Sequence, residues 1–202
     1  QTWQPGWNRL WVNDVGGNGE QIFQVRAGNV GGWTGGGNPP CTSDPGYVPP
    51  VFMVSSAGPS GAAITGGHFY DATLFPAAYR GNYFLGDYEV PGRIIRAQFR
   101  ESDNAFLSQS LFATDIPNIT DVESGPDGAL YYVSYSGGIL YRLSYNSPAQ
   151  EIVVGKRHLD LQEGGSAALP IRLATAPASN VVVTVARTAG DSDVYIEGAA
   201  TV

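Results

Sequence analysis

Tyr83-Phe84-Leu85-Gly86-Asp87-Tyr88, followed after a short turn by Ile94-Ile95-Arg96-Ala97, reads as an antiparallel hairpin. Aromatic and β-branched runs split by a glycine-containing turn favour extended, half-buried backbone. The pattern recurs twice. Leu10-Trp11-Val12-Asn13-Asp14-Val15 precedes Ile22-Phe23-Gln24-Val25, and Leu130-Tyr131-Tyr132-Val133-Ser134-Tyr135 precedes Leu140-Tyr141-Arg142-Leu143. The second and third copies lie 47 positions apart, Tyr83 to Leu130, within the roughly 40–50 residues of a propeller blade. The first and second lie 73 apart, so a long insertion separates them.

Composition supports a folded, turn-rich, all-β chain. Of 202 residues, 43% are hydrophobic and 14% charged, with 27 Gly and 14 Pro. No window carries a helical stripe of apolar residues. The net charge of −7 argues against nucleic acid, which would require a basic face, and against an anionic membrane surface. No apolar run is long enough to span a bilayer. Cys41 is the one cysteine, which excludes an internal disulfide and Cys-x-x-Cys chemistry. Residues 27–66 form a long irregular insertion, and loops of that length are commonly functional. After Tyr145 aromatics nearly vanish, and Leu169, Ile171, Leu173 and then Val181, Val183, Val185 alternate as sandwich strands do. A domain boundary is placed near residue 148, separating 1–147 from 148–202. About three blades and half a sandwich fit this length, against 4–8 blades and about seven strands in complete folds. The chain is therefore expected to be a piece of a longer polypeptide or to pair with neighbouring subunits.

Several ordered motifs carry a resemblance. Leu10 to Gly16, Glu20-Gln21-Ile22, Gly28-Asn29-Val30-Gly31-Gly32-Trp33, Ile64 to Tyr70, Phe75-Pro76 through Tyr79 to Asp87, and Gly125 to Tyr131 resemble the glucose/sorbosone dehydrogenases. Those are six-bladed propellers that use pyrroloquinoline quinone (PQQ) and calcium to oxidise sugars. The resemblance covers roughly residues 5–145 and implies the C-terminal half of such a propeller, secreted, periplasmic or at the cell surface, with a sugar or glycan as partner. Leu161-Gln162-Glu163-Gly164-Gly165-Ser166, Val181 to Val185 and Gly190-Asp191-Ser192-Asp193 look similar to Calx-beta modules. That likeness implies an incomplete immunoglobulin-like β-sandwich used for adhesion or spacing.

The resemblance also implies a basic residue near position 89 and two near 118–120, facing the carboxylates of the quinone. This chain has Glu89, Asn118 and Thr120 there, with Arg93 or Arg80 as candidates to replace the missing cations. The departure keeps a second reading open: a noncatalytic carbohydrate- or protein-binding or structural propeller. The general base and much of the calcium site would fall upstream of Gln1.

Five residues are candidates for ligand contact. His68, in Gly66-Gly67-His68-Phe69-Tyr70, reads either as a ligand or as a packed, hydrogen-bonded histidine. Asn29 and Trp33 read either as a pocket wall or as turn residue and packed indole. Tyr88 and Tyr135 end equivalent strands and are the aromatics best placed to stack on a sugar. Asp14 and Asp87, at equivalent strand ends, read as turn caps rather than calcium ligands, which need six to eight oxygens. Asp191, Asp193 and Glu163 carry the same two readings.

Overall fold

The computed structural model describes residues 1–16, 19–31, 42–54, 62–89, 91–100, 102–116, 118–145 and 150–197. Thirteen strands are formed among them, with one 3-10 turn at Ala77–Tyr79. Strands β1 (Thr2–Gln4), β2 (Arg9–Asp14), β3 (Glu20–Val25) and β4 (Phe52–Val54) pair in that order as one antiparallel sheet. Strands β5 (Ile64–Phe69), β6 (Tyr83–Asp87), β7 (Arg93–Phe99) and β8 (Phe106–Thr114) make a second. Strands β9 (Ile119–Ser124), β10 (Leu130–Ser134) and β11 (Ile139–Leu143) make a third. The three hairpins legible in the sequence are the second and third strands of each sheet.

The sheets stack face to face, and period-2 side-chain alternation explains how the middle one serves both neighbours. Tyr83, Leu85, Ile95 and Ala97 point to one side, where they pack with Trp11, Ile22, Phe52 and Val54 of the first sheet. Phe84 and Ile94 point to the other, against Ile119, Val122, Leu130 and Tyr132 of the third. A sheet buried on both faces reads as a continuous apolar run, which is why β6 stands out. Trp11 anchors the first interface, with ring centroids 5.2 Å from Phe69 and 5.0 Å from Phe99. Its Nε1 donates to Gln4 Oε1 at 3.0 Å, and the Gln4 amide pairs reciprocally with buried Asn104. Adjacent blades of a partial β-propeller are packed in this way.

Beyond the third sheet, β12 (Ile152–Val154) and β13 (Ile171–Leu173) form a two-stranded ladder. The two packed sheets of a sandwich are not formed among the described residues of 150–197. Val181 to Val185, expected as a strand, lie largely exposed outside the named strands. Val153 instead joins the core between the second and third sheets. The proposed boundary at 147/148 lies outside the described residues.

Candidate functional site

Antiparallel pairing defines two ends of the stacked sheets. Ile64, at the start of β5, faces Asp87 at the end of β6, and Ile119 at the start of β9 faces Ser134 at the end of β10. One end therefore gathers Asp87, Tyr88, Asn118, Ser134 and Tyr135. Tyr88 and Tyr135 lie with ring centroids 6.2 Å apart at 54°, and Tyr135 is 71% exposed. Asn118, at φ 51°, joins them: its Nδ2 donates to the Tyr88 carbonyl at 3.1 Å, and its carbonyl accepts the Tyr135 N–H at 2.9 Å. The sequence's tyrosine pair is thus brought together.

The same end is acidic. Asp87 is buried; its Oδ2 accepts from Arg93 Nε at 2.9 Å and its Oδ1 from the Ala63 N–H at 2.9 Å and the Glu89 N–H at 3.2 Å. The capping reading of Asp87 is the one its geometry supports. Glu20, buried in β3, accepts from the Ile64 N–H at 3.3 Å. Burial, then the Asp87 and Asp14 carboxylates, push its carboxyl above the ordinary value despite backbone donors at Ile64 and Gly16. Sequence reasoning misses Glu20, since a glutamate beginning an apolar strand gives no sign of its neighbours.

Among the described residues, side chains suited to the quinone's carboxylates are not assembled at this end. Arg93 is committed to Asp87, its side chain 16% exposed, and Arg80 lies by the far end of β6, preceding Gly81, whose N–H bonds the Tyr70 carbonyl. Asn118 is engaged by the tyrosine loops, and Thr120 Oγ1 donates to the Val133 carbonyl at 3.4 Å. Glu89 adds a negative charge. The described side chains do not fit a polyanionic cofactor. The described residues likewise gather no set of three His, Cys, Asp or Glu side chains suited to a metal ion. Asp191 Oδ1 accepts the Asp193 N–H at 3.0 Å, as a turn residue does.

Asn29 is an exposed turn residue whose Oδ1 accepts the Arg26 N–H at 2.7 Å. Trp33 lies outside the described residues. His68 sits at the opposite end from the tyrosines, where β5 and β9 run side by side. There its Nδ1 meets Glu123 Oε2 at 2.7 Å and its Nε2 meets Ser124 Oγ at 2.6 Å.

The glucose/sorbosone dehydrogenase family model matches residues 1–142. Among solved structures, two glucose dehydrogenases superpose with TM-scores of 0.54 and 0.55, each at 23% identity. They cover 70% and 72% of this chain, which spans 42% of each. A glucose dehydrogenase-type oxidoreductase of Thermus thermophilus superposes at 0.52 with 18% identity, covering 70% of this chain and 43% of its own. These likenesses show the fold, and the chain spans about two fifths of the length of those proteins. No curated protein matches the chain.

Proposed function

The chain belongs to the glucose/sorbosone dehydrogenase family, and on that basis we propose that it is part of a sugar-oxidising propeller whose share of the work is to hold the carbohydrate. The observation carrying this reading is the Tyr88–Tyr135 pair, 6.2 Å apart at one end of the blades. Sugar rings present C–H faces to aromatic side chains, and their hydroxyls donate to carboxylates such as Glu89 beside the pair. PQQ and calcium remain part of the proposal only for residues outside this chain, because the side chains described here assemble no cationic cradle for the quinone. An extracytoplasmic location, secreted, periplasmic or at the cell surface, and an appended Calx-beta-like module over 148–202 belong to the same reading.

Calorimetric titration with aldoses and ketoses tests it. Tyr88→Ala and Tyr135→Ala should each weaken binding by about tenfold, as loss of one stacking contact worth ~1.4 kcal/mol implies. Absence of sugar binding by the folded chain would overturn the reading. The Glu89, Asn118 and Thr120 set favours a second reading, noncatalytic carbohydrate or protein binding. It differs in one outcome: sugar binding without dye reduction when the whole propeller is supplied with PQQ and calcium.

A further inference from the structure

We propose that Ser124, His68 and Glu123 form a nucleophilic serine site that takes the acyl group of a short-chain carboxylic ester, at the end of the blades opposite the tyrosine pair. The arrangement begins with a break in β5. Its register with β6 shifts between Thr65 and His68, where Gly66 and Gly67 take φ +58° and +137°. Bulges of this kind re-aim the side chain that follows. A Cβ on Gly67 would collide with the Tyr83 hydroxyl, so only glycine allows this path. The result points the His68 ring at the end of β9.

The hydrogen-bond roles follow from the partners. Ionised Glu123 can only accept, so His68 Nδ1 carries the proton of the 2.7 Å contact. In the neutral ring Nε2 is then bare, and the 2.6 Å contact requires the Ser124 hydroxyl to donate. That is the polarity a general base needs toward a serine nucleophile. Burial opposes the charge on Glu123. The hydrogen bond from His68 and the nearby Lys156 charge outweigh it, holding the carboxyl below the ordinary range.

The group opens onto a cleft of ≈970 Å³, whose wall includes Trp3, Asn8, Phe69, Lys156 and Leu159. Trp3 is 61% exposed and with Leu159 offers an apolar surface to an acyl chain. Lys156 places a cation on the wall for the developing oxyanion. In the reaction, Ser124 Oγ bonds to the ester carbonyl carbon as its proton passes to His68 Nε2. Collapse breaks the ester C–O bond, and the departing alcohol takes that proton. Water then repeats the sequence, releasing the carboxylic acid and restoring Ser124. Glu123 acts on the reaction through His68 and is a positioning residue.

The test treats the full chain with a fluorophosphonate probe, maps the adduct by peptide mass spectrometry and follows p-nitrophenyl acetate hydrolysis. Ser124 should carry the adduct, and Ser124→Ala should abolish both labelling and serine-dependent hydrolysis. His68→Gln should slow both by about 10²-fold or more. Glu123→Gln should lower kcat about tenfold with KM unchanged, a split that a merely structural carboxylate would not produce. Circular dichroism checks that each variant is folded, and Ser124→Ala removes one oxygen only. A folded wild-type chain left unlabelled at Ser124, or hydrolysis undiminished in Ser124→Ala, would overturn the proposal.

Discussion

Glu20 is a buried carboxylate set among other carboxylates at the tyrosine end. Its carboxyl is pushed above the ordinary value by burial, then by Asp87 and Asp14. The folded state therefore keeps this proton to higher pH than the unfolded chain does. The stability it contributes is complete below the ordinary carboxylate value and is lost as pH rises through the raised one. Glu20→Gln keeps an acceptor for the Ile64 N–H and removes the charge. Urea denaturation should show the variant gaining on the wild type as pH rises from mildly acidic to neutral; a pH-independent difference would refute the cause given. A neutral counterpart is Tyr83, fully buried, whose hydroxyl donates to Asn13 Oδ1 at 2.8 Å. Tyr83→Phe leaves that oxygen short of its donor and should cost about 1–2 kcal/mol, measured by the same melts. The sequence marks Tyr83 and Tyr88 as aromatics ending or opening strands. It cannot mark Glu20, because the burial that chiefly raises its carboxyl comes from packed sheets, and Asp87 lies more than sixty residues away.

Among the elements, legibility mostly follows burial, with the exception of β11, whose apolar run is read from sequence although it is exposed. Strands β6 and β7 carry apolar runs because they lie between two sheets, and β2, β3 and β10 because one face packs on that middle sheet; the hairpins built on them are evident from sequence alone. Strand β8 has an exposed polar centre (Ser108, Gln109 and Ser110) between the exposed Leu107 and Leu111, since it lies at the outer edge of its sheet. Strand β9 reads Ile-Thr-Asp-Val-Glu-Ser, and only Ile119 and Val122 are buried. Neither belongs to the three hairpins legible from sequence. With β9 hidden, nothing links Ser124 and Glu123 to His68, so the Gly66-Gly67-His68 signal stands alone. The β6–β9 contact is close enough to test. A Cβ on Gly86 would overlap Ile119 Cγ2, and both residues are enclosed between sheets. Gly86→Ala should destabilise the protein by about 1–3 kcal/mol through overpacking. Gly86→Ala combined with Ile119→Leu, which takes the Cγ2 branch off Cβ, should recover part of that loss. A double variant no more stable than Gly86→Ala would place the strain elsewhere.

Across the whole molecule, the stacked sheets and residues 150–158 are tied together at one buried carboxylate. Asp71 follows β5; its Oδ2 accepts the N–H groups of Arg157 and His158, and its Oδ1 meets Arg157 Nε at 3.1 Å and His158 Nδ1 at 2.9 Å. Thr73 and Val154 exchange two further hydrogen bonds, Arg172 Nε donates to the Asp127 carbonyl, and Val153 fills the core below. The composition change after Tyr145 suggests a separate unit, because it registers lost aromatics and is blind to a single valine and a single aspartate. Two outcomes separate the alternatives. If residues 148–202 fold and melt independently, Asp71→Ala should loosen amide-exchange protection in the tail and leave the melting of the blades unchanged. If the tail is part of the blades' packing, the substitution leaves two backbone donors and an arginine facing a void, a loss of about 3 kcal/mol. In a chain of this size that lowers Tm by on the order of 10 °C, in one transition shared by blade and tail amides. The contacts converging on Asp71 and the buried Val153 favour the shared transition.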